Sequence, residues 1–243
     1  MQHLLNKTTN WDQQILTKTI NDNSIDLIIT DPPYEFINKN PVWWWFMDEK
    51  NKTHLKQLNK SFWMSFNPKN FLKESKRILK KMNMFVFTNN NLVYEYLDFA
   101  NQNNYRYNIH VMRKTNPVPT FKWKFLDDLE YIIHIFESWR PFNSDQGYKN
   151  YFRDNQITTH QIAKGNKLYS HPTTKPEWIF EKYIKICSKE WDLVFDPFMW
   201  SWTTWVCAKK NWRNFIWFEI NEKFTKTANE RIRWLELLDP LEF

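Results

Sequence analysis

Short apolar runs that end in polar turns alternate along this chain with longer stretches in which apolar residues recur every three or four positions. Residues 24–30, Ser24-Ile25-Asp26-Leu27-Ile28-Ile29-Thr30, form such a run and are expected to be a buried parallel strand. Helical spacing of Phe71, Leu72, Ile78 and Leu79 predicts a helix over 67–81, followed by a strand over 82–87. A helix over 91–100 and strands over 107–112 and 129–136 come next. Periodicity fades between 142 and 169, where polar, basic and aromatic residues mix. Pro176 then opens a helix to about 188, an early position that tolerates proline. A strand over 192–196, a helix over 203–211, a strand over 214–219 and a long helix over 221–238 complete the pattern. Alternation of strands and helices predicts an α/β fold built on a doubly wound, mostly parallel sheet. No internal repeat interrupts it, and 243 residues suffice for one substantial core. A single domain over 1–243 is expected.

Chemistry enters at the end of the first strand, with Asp31-Pro32-Pro33-Tyr34. Two consecutive prolines make a stiff turn that lacks N–H donors. Ligands of open α/β sheets bind at the carboxyl ends of strands, so Asp31 is expected to project into a crevice beside proline carbonyls. Such an acceptor pair suits an amino group. An exocyclic nitrogen on a base is a poor nucleophile, because its lone pair is delocalised into the ring. Hydrogen bonds from its N–H groups to Asp31 and to the Pro32 carbonyl would favour a pyramidal nitrogen. Tyr34 offers a flat face on which an extruded base can stack, and chemistry on a duplex base requires extrusion. The bland alternative is an ordinary strand-ending turn, since Asp and Pro are common there.

A second strand-to-loop junction lies at Asp192-Leu193-Val194-Phe195-Asp196-Pro197-Phe198, with Ser201-Trp202-Thr203-Thr204 opening a helix. Loops of this kind normally wrap a cofactor. Glu219 ends the next strand, 219 − 196 = 23 positions on, near the usual spacing of about 20 for a carboxylate that binds a ribose hydroxyl.

Three blocks together resemble the N6-adenine and N4-cytosine DNA methyltransferases: Asp31 to Tyr34, His171-Pro172-Thr173-Thr174-Lys175-Pro176, and Asp196-Pro197-Phe198-Met199-x-Ser201-x-Thr203-Thr204. Their order is similar to the family's beta arrangement, and the resemblance spans nearly the whole chain. It implies a Rossmann-like, seven-stranded sheet in permuted order, with S-adenosyl-L-methionine as cofactor. Residues 1–141 would form the catalytic half, 142–169 a target-recognition segment and 170–243 the cofactor half. Carried over by position, the cofactor set is Asp196, Phe198, Trp200, Ser201, Trp202, Thr203, Glu219, Asn221, His171 and Lys175, with Asp12 from a weaker block. The His171 block would close over the methionine end. Asp at position 31 resembles the adenine-modifying branch. Methyl transfer to adenine N6 in double-stranded DNA is the expected activity, with cytosine-N4 methylation as the alternative. A homodimer and a cognate restriction endonuclease are further partners that the resemblance implies.

Composition agrees with an anionic partner: the net charge is +7 and the pI about 9.2. In the recognition segment, Lys149, Tyr151, Arg153, His160, Gln161, Lys164 and Lys167 could meet phosphates and base edges. Cys187 and Cys207 have no metal-ligand spacing and are expected to be core fillers, so no metal is expected. With no signal peptide and no transmembrane stretch, a cytoplasmic protein is expected.

Glycine is nearly absent. There are 2 Gly and 15 Trp, although Gly ordinarily makes up about 7% of residues. Trp200 and Trp202 stand where the family's cofactor loop has glycine, and Trp11, Trp191, Trp205, Trp212 and Trp217 also fall where small residues or glycine are usual. Trp43-Trp44-Trp45 would expose three consecutive indoles. Two explanations compete. The protein is truly tryptophan-rich and its cofactor pocket is altered, which would make it a catalytically dead DNA-binding homologue. Alternatively, UGA codons that specify glycine in some bacterial lineages have been read as tryptophan. The one-directional pattern, concentrated where glycine has a mechanical task, favours the codon reading. Trp178, inside an amphipathic helix, is expected to be a genuine tryptophan.

Overall fold

A computed structural model describes residues 8–10, 17–32, 66–115, 117, 125, 128–143, 157–160, 175–198 and 203–219. Asp12, Pro33, Tyr34, Trp43 to Trp45, His171, Trp200, Ser201, Trp202, Asn221 and the helix expected over 221–238 lie outside them.

Eight strands form one sheet among the described residues: β1 (Thr8–Asn10), β2 (Leu27–Thr30), β3 (Asn83–Thr88), β4 (Arg106–Lys114), β5 (Leu129–Phe136), β6 (Ile157–His160), β7 (Leu193–Asp196) and β8 (Asn214–Glu219). Their order is β1-β8-β7-β2-β3-β5-β4-β6. Only β5 runs against the others, pairing antiparallel with both β3 and β4. The mostly parallel, permuted sheet is therefore present, with eight strands among the described residues where seven were expected. Two edge strands, β1 and β6, are not visible in the apolar pattern, because Thr8-Thr9-Asn10 and Ile157-Thr158-Thr159-His160 are mostly polar. The second of them lies inside the segment read as target recognition and pairs parallel with β4, Val111 opposite Ile157 and Lys114 opposite His160.

Four α-helices among the described residues cover the sheet: α1 (Pro68–Ile78), α2 (Val93–Gln102), α3 (Glu177–Cys187) and α4 (Thr203–Lys210). The start of α1 is set by local chemistry. Asn67 caps it by accepting from the Asn70 N–H at 3.1 Å, and Pro68 occupies a position whose missing N–H costs nothing. Phe71, Leu72, Ser75 and Ile78 then fall on one buried face.

The period of two in the strands sorts the core into two layers. Leu27, Ile29, Phe85, Phe87 and Ile132 pack with α3 and α4 on one side of the sheet. Ile28, Met84, Val86, Ile133 and Ile135 pack with α1 and α2 on the other. Strands buried on both faces explain why these runs read as continuous apolar stretches. Both cysteines are free and buried in the first layer, where burial pushes each thiol up to about 12. No helix among the described residues is long and apolar enough to cross a membrane.

Among the described residues, five non-glycine positions have positive φ. Asn23 and Asn104 are of a type that tolerates it; Trp139 (φ 66°), Trp191 (φ 68°) and Trp212 (φ 60°) are not. The backbone thus asks for glycine at two turn positions already suspect from sequence, and at Trp139, which the pattern did not single out. Trp205 differs: it sits inside α4, fully buried, with its ring edge-on to Phe215. Trp178 is exposed on α3, where an indole meets no backbone objection.

Trp139 is 90% exposed, so its ring gains almost nothing from packing. Relieving its left-handed strain should stabilise the fold by about 1 kcal/mol net of glycine's unfolded-state entropy. Trp139→Gly should accordingly raise the melting temperature by roughly 2–4 °C. Trp139→Ala, which keeps a Cβ, should leave it unchanged. Equal melting of the Gly and Ala variants would contradict the strain.

Candidate active site

The chain leaves β7 through α4 to β8 on one side of the sheet order, and leaves β2 toward β3 on the other. Neighbouring parallel strands whose connections diverge open a crevice between their carboxyl ends. The gap between β7 and β2 is such a switch point. Asp196 is the last residue of β7, Asp31 follows the last residue of β2, and Glu219 ends β8 beside them. Three of the acidic residues selected from sequence thus share one end of one sheet.

Asp196 is buried, and its oxygens are engaged by the protein itself. The Thr30 hydroxyl donates to Oδ1 and the Thr204 hydroxyl to Oδ2, each at 2.7 Å, and the Phe198 N–H donates to Oδ1 at 3.1 Å. Burial pushes this carboxyl up to about 6, against the three hydrogen bonds that favour the charged form; the Asp31 charge adds to the rise. Asp196 therefore acts as a clasp that joins β2, β7 and the start of α4. Phe198 lies edge-on to Phe66 and Phe71, with ring centroids at 5.2 and 5.9 Å, and anchors the loop's entry in the core. Thr203 is buried at the start of α4, its hydroxyl 3.4 Å from the Lys175 carbonyl.

Lys175 is drawn toward the other half of the site. Its side chain is 11% exposed. The ammonium lies 2.5 Å from Glu130 Oε2, 3.5 Å from Asp31 Oδ2 and 5.4 Å from the centre of the Phe87 ring. Glu130 Oε1 is in turn 2.9 Å from Lys114 Nζ. Burial opposes the charge on Lys175, but Asp31 and Glu130 outweigh it and raise its proton affinity. Burial likewise opposes the charge on Glu130, yet Lys175 and Lys114 hold its carboxyl down at about 2. Four alternating charges therefore run Lys114, Glu130, Lys175, Asp31.

Sequence reasoning missed Glu130, Lys114 and Thr30. The available signal was weak: a single acid in the apolar run 129–136, a lysine at a strand end, and a threonine just before the tetrad. Tyr96 on α2 was missed too. It is fully buried, and burial together with the Asp31 charge keeps its phenol protonated. A group of His, Cys, Asp or Glu side chains able to hold a metal ion is not found among the described residues.

Comparison with known proteins decides the family. The family model for N6/N4 DNA methylases matches residues 25–230. This chain belongs to that family of DNA methylases.

Among relatives of the methylase, the Type II methyltransferase M2.LlaDCHI of Lactococcus lactis subsp. cremoris is 27% identical over 242 residues, covering 89% of this chain and 85% of that protein. M.HinfI of Haemophilus influenzae is 30% identical over 250 residues, covering 89% of this chain and 65% of the relative. Solved structures share the fold. The M1.HpyAVI–SAM complex superposes with a TM-score of 0.63 at 22% identity over 93% of this chain and 98% of that one. The cytosine-N4-specific PvuII DNA methyltransferase gives 0.67 at 16% identity over 96% and 92%. DNA is the family's substrate and S-adenosyl-L-methionine its methyl donor.

The Asp196 clasp has a measurable pH signature. Between the ordinary 3.8 and about 6, the folded chain holds a proton there that the unfolded chain has released. This group's contribution to stability therefore falls as pH rises through that window. The urea midpoint of the natural chain should drop more between about pH 4 and pH 7 than that of Asp196→Asn. Parallel pH dependence in the two would show that Asp196 titrates normally.

Proposed function

We infer that this methylase transfers a methyl group from S-adenosyl-L-methionine to the N6 atom of adenine in double-stranded DNA. The observation that carries this reading is Asp31, placed at the carboxyl end of β2 in the switch-point crevice and followed by proline. The carboxylate accepts one amino N–H, and the Pro32 carbonyl, which has no competing N–H of its own, accepts the other. Together they turn the nitrogen lone pair out of conjugation and aim it across the crevice. The cofactor supplies an electrophilic methyl on a sulfonium; the N–C bond forms as the S–C bond breaks, and the nitrogen then sheds a proton. Tyr34 would stack on the extruded base.

Placement supports the cofactor's fit. Asp196 and Phe198 fasten the entry of the 199–202 loop, Thr203 its exit, and Glu219 ends the strand next to β7, the position of a ribose partner. His171, Lys175, Ser201, Asn221 and Asp12 complete the proposed set. Trp200 and Trp202 are the exception, since indoles would fill space that the cofactor's backbone contacts require. Glycine at both positions would match the family's loop. Residues 142–169 serve as the recognition segment, with the 1–141 and 170–243 halves on either side, in a single cytoplasmic domain. Partnership with a cognate restriction endonuclease accords with the Type II names of the relatives. A short recognition segment accords with a homodimer.

Unmethylated genomic DNA contains every short recognition sequence and is the substrate for the test. With labelled cofactor, the chain carrying Trp200→Gly and Trp202→Gly should deposit label in N6-methyladenine on nucleoside analysis. Label in N4-methylcytosine would replace the adenine reading by the cytosine one. Asp31→Ala in the same background should lower the rate roughly 100-fold or more, the scale of losing one charge-stabilising group. The chain with both tryptophans should bind the cofactor weakly or not at all by calorimetry, and tight binding would refute the pocket-filling argument.

A further inference from the structure

We propose that the exposed face of α1 is a docking surface for the phosphate backbone of the DNA that flanks the target base, with Lys69 and Lys73 as direct phosphate contacts. The inference rests on DNA as the family's substrate and holds whichever amino group is methylated. Lys69, Lys73 and Lys76 are spaced by four and three residues, so they form one stripe on the solvent side of α1. Phe71, Leu72, Ser75 and Ile78 take the buried side. All three lysines are exposed.

The helix itself gains nothing from this stripe. Its first turn holds no acid, and Lys69 stands there against the positive end of the helix dipole. Lys69 and Lys73 are like charges one turn apart, a spacing that destabilises a helix. Glu74, the one acid between Pro68 and Ile78, is engaged by Arg77, whose Nε and Nη2 donate to it at 3.0 and 2.8 Å. Arg77 also pairs with Asp22. Lys76 finds a neutral partner, the Asn103 side-chain carbonyl at 2.6 Å. Lys69 and Lys73 have no ion pair among the described residues. A row of cations left in this state is matched by a polyanion. Duplex DNA carries one negative charge about every 1.7 Å of its axis and releases counterions to lysines that meet its phosphates.

The fold sets the stripe beside the site. α1 starts at the carboxyl edge of the sheet, where Phe66 and Phe71 pack against Phe198 just past Asp196. It ends at the opposite edge, where the Ile78 carbonyl accepts from the Ser24 and Ile25 N–H groups at 2.8 and 2.9 Å, ahead of β2. Lys69 therefore stands at the lip of the crevice, with Lys73 about 6 Å and Lys76 about 10 Å further along the helix axis. A base extruded into the crevice leaves its duplex lying across that lip, so a flanking backbone meets Lys69 first and Lys73 next. Lys80, paired with Asp26 at the far edge, is out of reach. Such contacts hold the duplex in register without reading its sequence, a task distinct from that of residues 142–169.

The test follows binding of a fluorescent unmethylated duplex by anisotropy over a salt series, using the full chain carrying Trp200→Gly and Trp202→Gly. Lys69→Gln and Lys73→Gln should each weaken binding roughly fivefold near 0.15 M salt, and each should flatten the slope of log K against log salt by about 0.9. The double variant should flatten it by about 1.8. Lys76→Gln should flatten it less than either, and Lys80→Gln not at all. Lys69→Arg and Lys73→Arg keep the charge and should keep the natural slope. In turnover, the double variant should raise the KM for DNA and leave kcat and the cofactor KM unchanged. Natural slopes in Lys69→Gln and Lys73→Gln would overturn the inference. Equal flattening by Lys80→Gln would overturn it too, because a diffuse positive field would then account for the binding. If the parent chain does not bind the duplex, DNA falls as the partner and the docking surface with it. If the parent binds and the slopes stay natural, only the role of α1 falls.

Discussion

A buried carboxylate with three protein donors holds the working end of this molecule together. Asp196 receives hydroxyl bonds from Thr30 on β2 and Thr204 on α4, and an N–H from its own loop at Phe198. The two strands that flank the crevice are thereby tied at their carboxyl ends, and α4 is tied to both. An unpaired buried carboxylate would carry a large desolvation cost, so each donor is needed. Thr30 immediately precedes Asp31. The clasp thus fixes the backbone from which Asp31 projects, and couples the two sides of the crevice.

The second constraint is charge balance around Asp31. Four ionised side chains at a largely buried edge survive because their signs alternate and every ammonium faces a carboxylate. Removing one member leaves its neighbours with an uncompensated charge, which is why such groups behave as a unit. Their arrangement depends on a single topological detail, the reversed direction of β5. A parallel strand there would have carried Glu130 to the opposite edge of the sheet.

Backbone conformation bears on the tryptophan question. Three tryptophans among the described residues occupy the left-handed region, and two of them, at 191 and 212, form one turn-to-turn contact through the Trp191 N–H and the Trp212 carbonyl at 2.7 Å. Those φ values lie in the tight turns between α3 and β7 and between α4 and β8. The same logic applied to Trp205 gives the opposite result, since a helical residue with a well-packed ring needs no glycine.

Much of the architecture was legible in the amino-acid order alone. The strand over 129–136 and the strand over 214–219 have the bounds the apolar pattern predicted, and helices α1 to α4 differ from expectation by a few residues at their ends. Burial on both faces writes long apolar runs, and helical spacing writes its own period, so these signals are local. The Asp31 and Asp196 positions were local too, because each sits where a strand stops. Glu130 and Lys114 were not, nor was the true neighbourhood of Lys175. Their meaning lies in which strand runs backward and which segments meet at one edge, and no short stretch of sequence encodes that. Residue order determined the elements and the two carboxylates at the crevice; only the tertiary structure decided which charges surround Asp31, because Coulomb interactions depend on distances that the sheet creates between residues far apart in the chain.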